Sequence, residues 1–290
     1  MITGATRLAA VIGWPARHSL SPTILNAAFA AAGVDWAYVA FEVPEGRGGD
    51  AVEAMRTLGL GGLSVTMPHK AAVCAAVDER TPVAGELGAV NCVFWRDDRL
   101  VGDNTDGAGL LDALREDQGI EVAGLRCVVA GAGGAGRAVA HALGRAGAGD
   151  VAVLNRSPGP AADAAALAGA EGRVATTADV GTADLVINAT PVGMGGGNVA
   201  EGGGGAPLPL DTGLLRPGQV VVDLIYHPLE TPLLAAASAR GALAVNGVGM
   251  LVHQAAHAFR RWTGLEPPID AMAGATRREL ARRARADNSS

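Results

Sequence analysis

Two segments of the sequence end in residues that could move a proton. The stretch Leu63–Lys70, LSVTMPHK, is a β-forming run that stops at Pro68 and delivers a lysine. The stretch Gly102–Gly107, GDNTDG, places Asp106 between a strand-like run and a helical run. A carboxylate can orient an ammonium group and keep it protonated until a carbonyl oxygen needs the proton. Lys70 and Asp106 are therefore a candidate acid/base pair. Taken alone, Lys70 is better explained as a solvated lysine and Asp106 as a helix cap.

A glycine-rich turn predicts a dinucleotide site. The residues Gly131–Gly136, GAGGAG, follow the apolar run CVVA and precede a helical run. Glycines at 131, 133 and 136 would allow a tight turn, a close approach of the backbone to a pyrophosphate, and close packing of helix on strand. A purely structural glycine turn is the alternative. The dinucleotide site is favoured because strand, helix and second strand follow in the required order.

The end of the next strand-like run indicates which dinucleotide binds. An NAD site usually has an acidic residue there to accept the ribose hydroxyls, whereas this chain has Asn155 and Arg156. A guanidinium favours a 2′-phosphate, so the sequence predicts NADP rather than NAD. A surface arginine at a strand end is the alternative interpretation.

Two serines precede the first helical run. In HSLSPTILNAAFAAA, residues 18–32, Ser21 stands before Pro22 and is predicted to cap a helix that begins there. The cap does not explain Ser19. Two hydroxyls at the positive end of a helix also form a potential carboxylate site.

Alternating strand-like and helical runs predict the elements that position these residues. From residue 7 to residue 66 the alternation is typical of a parallel α/β sheet, and VNCVFW and RLVGD around RDDR predict a hairpin. A second alternating series begins at Leu125 and predicts a separate doubly wound unit, with the helix GLLDALRED as a bridge between the domains. The helical runs 249–262 and 269–284 have apolar faces that need a partner sheet. The glycine-rich segment 195–209 is predicted to be a mobile surface loop.

The composition limits the classes of protein to consider. The chain has 290 residues, 49% apolar and 18% charged, which predicts one large or two medium globular domains. A net charge of -6 argues against nucleic acid or an anionic membrane as a partner, and the basic run 277–285 is interpreted as a solvated helix face. Cys74, Cys92 and Cys127 lack metal-ligand spacing and are predicted to be buried in a reducing compartment. No apolar run approaches about eighteen residues, so we expect a cytoplasmic protein.

Taken together, the motifs resemble one known family. They occur in the order and approximate spacing of shikimate dehydrogenases, and they span nearly the whole chain: Ser19-Leu-Ser21, VTMPHK, GAVN, DNTDG, GAGGAG, NRS, NATPVGM, DLIYHPLETPLL and NGVGMLVHQAAHAF. The resemblance implies a reversible, NADP-dependent reduction of 3-dehydroshikimate to shikimate in aromatic amino-acid biosynthesis. It also implies an α/β fold of two domains with the active site in the cleft. These are a substrate-binding domain, residues 1–106 with 248–290, and a Rossmann-like NADP-binding domain, residues 107–247.

The resemblance also assigns roles to individual residues. The substrate carboxylate would be bound by Ser19, Ser21 and Tyr226. The ring hydroxyls would be met by Thr66, Lys70, Asn91, Asp106 and Gln254, with Lys70 as the catalytic acid/base. On the cofactor side the residues are Gly131, Ala132, Gly133, Gly134 and Ala135 for the phosphates, Asn155 and Arg156 for the 2′-phosphate, and Thr190, Leu224 and Gly247 for the nicotinamide. No metal is expected.

Two departures from the family pattern concern the cofactor. Leu224 replaces a methionine found in some members, and the stretch SPGPAAD after Arg156 lacks the second basic residue often present in NADP-using members. With one guanidinium and no second basic residue, the expected preference for NADP over NAD is modest.

Other functions share much of this pattern. A quinate/shikimate or aminoshikimate dehydrogenase using NAD or NADP would need only one or two different pocket contacts. A regulatory protein that senses NADP without turnover is the alternative from another class, but it would have no use for Lys70, Asp106, Asn91 and Gln254.

His18, His69, His227, His253 and His257 are interpreted as structural or solvent-facing. The expected partner is a small-molecule substrate, and the expected state is a monomer or homodimer.

Overall fold

The computed structural model describes residues 2–193 and 208–287. Most of the predicted glycine-rich loop, residues 195–207, lies outside the described residues. The chain divides into two compact units: unit 1 comprises Met1–Thr105 and Val252–Ser290, and unit 2 comprises Asp106–Leu251. Among the described residues, no helix is long and apolar enough to cross a membrane.

Unit 1 is built on a mixed sheet of six strands. The strands are β1 (Arg7–Gly13), β2 (Trp36–Glu42), β3 (Gly62–Val65), β4 (Glu79–Arg80), β5 (Cys92–Arg96) and β6 (Arg99–Asp103), in the order β2-β1-β3-β5-β6-β4. The first three strands run parallel, and β5 runs antiparallel to both β3 and β6. The predicted hairpin is confirmed. Its turn residues Asp97 and Asp98 have φ of 46° and 62°, the left-handed backbone that a two-residue hairpin turn requires.

The C-terminal helices return to this first sheet, as predicted. Unit 1 contains α1 (Ser21–Ala31), α2 (Gly48–Leu58), α3 (Lys70–Ala76), α4 (Pro82–Leu87), α10 (Val248–Thr263) from Val252 onward, and α11 (Ile269–Asp287). The ring centroids of Phe29 and Phe259 lie 5.7 Å apart, and Tyr38 stacks on Trp262 at 5.8 Å. A Cβ on Gly62 would overlap the Trp262 ring, so glycine is required where this helix lies on the sheet.

Unit 2 is the predicted doubly wound unit. Its strands β7 (Arg126–Ala130), β8 (Asp150–Leu154), β9 (Gly172–Val174), β10 (Leu185–Asn188), β11 (Val220–Asp223) and β12 (Leu243–Asn246) are all parallel, in the order β12-β11-β10-β7-β8-β9. This is the strand order of the Rossmann fold. Cys127 and Val129 pack into one core cluster and Val128 and Ala130 into another, so both faces of the sheet are buried.

The helices of unit 2 connect these strands. They are α5 (Asp106–Asp112), which continues as a π-helical turn (Ala113–Asp117), α6 (Gly134–Arg145), α7 (Pro158–Ala166), α8 (Asp179–Thr182) and α9 (Pro232–Ala239). The predicted bridging helix GLLDALRED therefore belongs to unit 2. The helix predicted near residues 161–168 begins earlier, at Pro158, because proline suits the first turn of a helix.

The outer edge of β2 is covered by a side chain instead of a strand. Asn26 of α1 donates from Nδ2 to the Tyr38 carbonyl (2.9 Å), and its Oδ1 accepts from the Tyr38 N–H (2.9 Å). The amide thus makes the two bonds that a neighbouring strand would make. Beside it Val39 and Phe41 are exposed, so this edge would otherwise offer an apolar template for another chain.

We predict that Asn26→Ala destabilises the protein by about 1–3 kcal/mol, since two backbone bonds are lost. It should also increase association that depends on protein concentration, because the edge of β2 becomes available. Urea unfolding and sedimentation velocity measure the two effects. Thr57→Ala is the control, since it removes one bond on the exposed face of α2, from Oγ1 to the Glu53 carbonyl (3.0 Å). Equal behaviour of the two variants would contradict the edge-covering role.

Candidate functional site

One edge of the unit 1 sheet gathers four of the eight predicted substrate residues. Strands β1, β3 and β6 end at this edge, and β5 begins there because it runs antiparallel to β3 and β6. Ser19 follows β1, Thr66 and Lys70 follow β3, and Asn91 directly precedes β5. The reversed direction of β5 therefore brings Asn91 beside the end of β3, where the Val65 N–H donates to its carbonyl (2.8 Å).

The segment that carries Lys70 is held on both sides. The Thr66 N–H donates to the Ile12 carbonyl (2.9 Å), and the buried His69 ring makes a hydrogen bond with the Val43 carbonyl (2.7 Å). Lys70 is the first residue of α3, and it is partly buried. His69 is structural, as one of the two predicted alternatives stated. Its burial fixes the backbone from which the lysine side chain extends.

Asn91 and Gln254 are linked through a residue that sequence reasoning missed. Asn91 Nδ2 lies 3.0 Å from Thr105 Oγ1, and Asn91 Oδ1 accepts from the Thr105 N–H (2.8 Å). The Thr105 hydroxyl in turn donates to the Gln254 carbonyl (3.1 Å). Thr105 is buried, so these bonds fix the amide plane of Asn91 and connect it to α10.

Asp103 anchors the segment that contains Thr105 and Asp106. Its carboxylate accepts from Thr81 Oγ1 (2.6 Å), from the Asn104 N–H (2.9 Å) and from Arg261 Nε (3.0 Å). The four polar residues 103–106 are all buried. The sequence signal that could have revealed the anchor is the run of four polar residues DNTD at the end of a strand. Once buried, such a run needs hydrogen-bond partners in the fold. Asp106 itself is the first residue of α5 and of unit 2.

The loop between β1 and α1 corrects the prediction for the two serines. Helix α1 has no side-chain cap, and the Ser19 hydroxyl accepts from the Ser21 N–H (3.2 Å). Ser21 is therefore not the predicted cap, and Ser19 has a local structural role at the start of the helix instead. The reason is that Leu20 already has helical dihedrals, with φ of -88° and ψ of -10°, so Ser21 lies inside the helix rather than at its cap.

Two charged side chains hold the rest of this loop. The Glu42 carboxylate accepts from the backbone N–H groups of Ala16 (3.3 Å) and Arg17 (3.4 Å), and it also pairs with the Arg17 guanidinium. The hydrogen bond from the Arg17 side chain is the main cause that lowers the pKa of Glu42 to about 2. From α11, Arg283 donates to the His18 carbonyl (2.9 Å). The position of Ser19 thus depends on β2 and on the C-terminal helix.

The glycine-rich turn of unit 2 has the form that was predicted. Gly131 follows β7 with φ of 107°, and a Cβ there would lie 2.9 Å from Thr190 Cγ2. A Cβ on Gly136 would overlap the Gly131 carbonyl oxygen, so this glycine allows the helix to approach the turn. A Cβ on Gly133 would meet nothing within 4 Å, which leaves open space at the start of α6. The turn therefore has room for an anionic group at a helix N-terminus.

The residues after β8 lie at the same edge of the sheet. Asn155 donates to the Ser157 carbonyl (3.1 Å) and so shapes the turn into α7. Arg156 is exposed and makes no hydrogen bond or ion pair with any described residue. Its guanidinium is available for an anion in solution.

The remaining predicted cofactor residues follow neighbouring strands. Thr190 comes after β10, Leu224 after β11 and Gly247 after β12. Gly247 lies so close to Leu224 that a Cβ would overlap the Leu224 carbonyl oxygen, and its N–H donates to the Ile225 carbonyl (3.0 Å). Tyr226 stands two residues beyond Leu224 and is partly buried. These residues share the carboxyl edge of the sheet, where α/β folds bind ligands.

The structure thus sorts the predicted residues between the two units. Unit 1 holds Ser19, Ser21, Thr66, Lys70, Asn91 and Gln254, whereas unit 2 holds Asp106, Tyr226 and all the predicted cofactor residues. A cavity of about 160 Å³ in unit 2 is lined by residues of α5, the π-helical turn, β12 and α10, and it includes none of the predicted site residues.

The sheet order and glycine turn of unit 2 define a dinucleotide-binding α/β protein. Residues 11–93 match the family model described as the shikimate dehydrogenase substrate binding domain, and residues 247–277 match the model of the shikimate 5′-dehydrogenase C-terminal domain. An NADP(+) shikimate dehydrogenase of Citrifermentans bemidjiense is 44% identical over 282 residues, which cover 93% of this chain and 94% of that protein. The chain belongs to the shikimate dehydrogenase family.

Solved structures agree with this assignment. Shikimate 5-dehydrogenase of Thermus thermophilus, in complex with NADP(H) and shikimate, is 38% identical with a TM-score of 0.84, covering 94% of this chain and 99% of that chain. The Listeria monocytogenes enzyme, in complex with shikimate and NAD, is 34% identical with a TM-score of 0.82, covering 93% and 96%. Both nicotinamide dinucleotides thus occur in complexes of similar proteins.

The corrected roles of the serines lead to a prediction about stability. Ser19→Ala should destabilise the protein by about 1 kcal/mol, because it removes the acceptor of the Ser21 N–H. Ser21→Ala should cost less, since the Ser21 hydroxyl makes no hydrogen bond with a described residue. Thermal melts of both variants beside the wild type test the order. A larger loss for Ser21→Ala would restore the original cap prediction.

Proposed function

We propose that this chain catalyses the reversible, NADP-dependent reduction of 3-dehydroshikimate to shikimate, with Lys70 as the acid/base and Asp106 as its partner. Family membership supports the reaction, and the residues at the carboxyl edge of the unit 1 sheet support the roles. In this proposal residues 1–106 with 248–290 bind the substrate, and residues 107–247 bind the cofactor.

One observation about Lys70 carries the assignment of the acid/base. Lys70 is the only lysine among the 23 lysines and arginines of the chain. Wherever a permanent positive charge suffices, this sequence uses arginine. Arginine cannot release its proton in a protein, whereas a lysine in a site can do so. A lysine retained at this one position is therefore best explained by a need for proton transfer.

The residues of unit 2 fit the cofactor. Open space at Gly133 and the free N-terminus of α6 suit the pyrophosphate, and Gly131 to Ala135 would hold it with backbone N–H groups. Asn155 and Arg156 would hold the 2′-phosphate, while Thr190, Leu224 and Gly247 would contact the nicotinamide. When bound, NADPH supplies the hydride for the reduction.

The residues of the substrate site act by binding and by proton transfer. Ser19, Ser21 and Tyr226 would donate hydroxyl hydrogen bonds to the substrate carboxylate, whereas Thr66, Asn91 and Gln254 would hold the ring hydroxyls. In the reducing direction the Lys70 ammonium donates a proton to the carbonyl oxygen as negative charge develops there. In the oxidising direction the neutral amine takes that proton from the hydroxyl.

A steady-state assay tests the proposed function directly. Purified protein is given shikimate or quinate with NADP or NAD, and we expect the highest kcat/KM for shikimate with NADP. A preference for quinate, or for NAD, would replace the proposal with the quinate/shikimate alternative. Binding of NADPH without turnover of either substrate would favour the regulatory protein.

For Lys70 we predict that replacement by alanine lowers kcat about 100-fold or more, the range expected when a general acid is lost. Lys70→Arg is the matched variant, because it keeps the charge but cannot release the proton. It should lose a similar fraction of kcat while KM for shikimate changes less. Near wild-type turnover in Lys70→Arg would show that Lys70 supplies only a positive charge and does not transfer the proton.

For Arg156 we predict that replacement by alanine removes most of the preference for NADP. One charge-assisted contact is worth about 1.5–3 kcal/mol, or roughly ten- to a hundredfold in kcat/KM. Turnover at saturating cofactor should persist, because in this proposal the contact lies on the adenosine ribose. The measurement is kcat/KM for both cofactors at fixed ionic strength. Arg126→Ala is the control, because Arg126 begins β7 and so lies at the edge of the sheet opposite to Arg156. An equal loss of preference in Arg126→Ala would contradict the role of Arg156.

A further inference from the structure

Two fully buried polar side chains join the ends of neighbouring strands in unit 2. Asn188 is the last residue of β10 and Asp223 the last residue of β11, and both have no exposed surface. Asn188 Nδ2 donates to Asp223 Oδ1 (3.0 Å). A buried amide and a buried carboxylate carry a large desolvation cost, so their retention calls for an explanation beyond packing.

On one side this pair holds the segment that contains Thr190. Asn188 Oδ1 accepts from the Thr190 N–H (2.9 Å) and from the Thr190 hydroxyl (2.7 Å). The Thr190 hydroxyl oxygen accepts in turn from the Val192 N–H (3.2 Å). The direction of the chain after β10 is thus fixed by one amide oxygen.

On the other side the pair holds the segment that contains Leu224 and Tyr226. Asp223 Oδ1 accepts from the Ile225 N–H (3.2 Å), and Asp223 Oδ2 accepts from Thr231 Oγ1 (2.7 Å). Thr231 is buried and caps α9 by accepting from the Leu234 N–H (3.3 Å). Burial raises the pKa of Asp223, while the hydrogen bonds from Thr231, Ile225 and Asn188 oppose that shift.

We infer that Asn188 and Asp223 are positioning residues that act as one unit to set the two cofactor-contacting segments, 189–192 and 224–226, relative to each other. The inference rests on the proposed function for the placement of Thr190 and Leu224 beside the nicotinamide. Neither Asn188 nor Asp223 would touch the cofactor. Each would act through the backbone and hydroxyl groups that it holds.

Asn188→Asp is the sharpest test, because it keeps the shape and the acceptor for Thr190 but replaces the donor to Asp223 by an oxygen. Two carboxylates about 3 Å apart repel each other when both are ionised, so the link to Asp223 would hold only while one of the two keeps a proton. At pH 8 we expect the Kd of the variant for NADPH, measured by calorimetry, to rise about tenfold or more. The shared proton has a raised pKa, so lowering the pH towards 6 restores a donor, and the Kd should approach that of the wild type at the same pH.

Gln219→Glu is the matched control. Gln219 is equally buried and stands just before β11, at the opposite end from Asp223, where its Nε2 donates to the carbonyls of Val180 (2.7 Å) and Ala183 (2.9 Å). It undergoes the same change from amide to carboxylate. We expect a lower melting temperature with an unchanged Kd for NADPH. If Asn188→Asp behaved in the same way, the network would be structural only and the inference would fail.

Thr231→Val keeps the test decisive if Asn188→Asp does not fold. It removes the donor to Asp223 Oδ2 at a site outside both cofactor-contacting segments. We expect its Kd for NADPH to rise about threefold or more, with recovery in Thr231→Ser, which restores the hydroxyl. An unchanged Kd in Thr231→Val would count against the inference. Because the readout is NADPH binding, a wild type that binds NADPH but does not oxidise shikimate would refute the proposed function and leave this inference standing.

Discussion

Buried polar side chains at the ends of strands have to find hydrogen-bond partners, and both candidate binding surfaces are organised by this requirement. In unit 1 the Asn91 amide is satisfied by Thr105, whose hydroxyl reaches the Gln254 carbonyl. In unit 2 the Asn188 amide is satisfied by Asp223. An unpaired group at any of these positions would cost about 1–3 kcal/mol, so alternative loop conformations are disfavoured. Groups proposed to meet a ligand are thereby ordered before the ligand arrives.

The sequence predicted the elements well where a local pattern decides the structure. Alternation of apolar runs located the parallel strands, and RDDR located a hairpin whose two aspartates accept left-handed backbone. The spacing of glycines predicted the turn after β7 because each glycine answers a short-range steric demand. The local rule failed at Ser21, where Leu20 had already entered the helical region. There the helix begins at Ser21 itself, and the Ser21 N–H donates to the Ser19 hydroxyl.

Contacts between distant parts of the chain could not be predicted in this way. Thr105 and Gln254 are 149 residues apart, and no periodicity connects them. The same holds for Asn188 and Asp223, and for Gly247, whose neighbour Leu224 becomes close only once β11 and β12 are paired. No local pattern singles out Asn26, although its amide completes a sheet edge. These roles depend on topology, which brings together residues that composition and spacing leave unrelated.

The return of the C-terminal helices to the first sheet sets the order in which the two units can fold during synthesis on the ribosome. Unit 2 is one continuous segment that ends at Leu251, so it can fold once that residue has emerged. Unit 1 cannot be completed then, since Phe259 and Trp262, which cover Phe29, Tyr38 and Gly62, are made afterwards. The N-terminal part of the chain, which is synthesised first, therefore completes its folding last. Until then the apolar surface that these two side chains cover has no partner in the nascent chain.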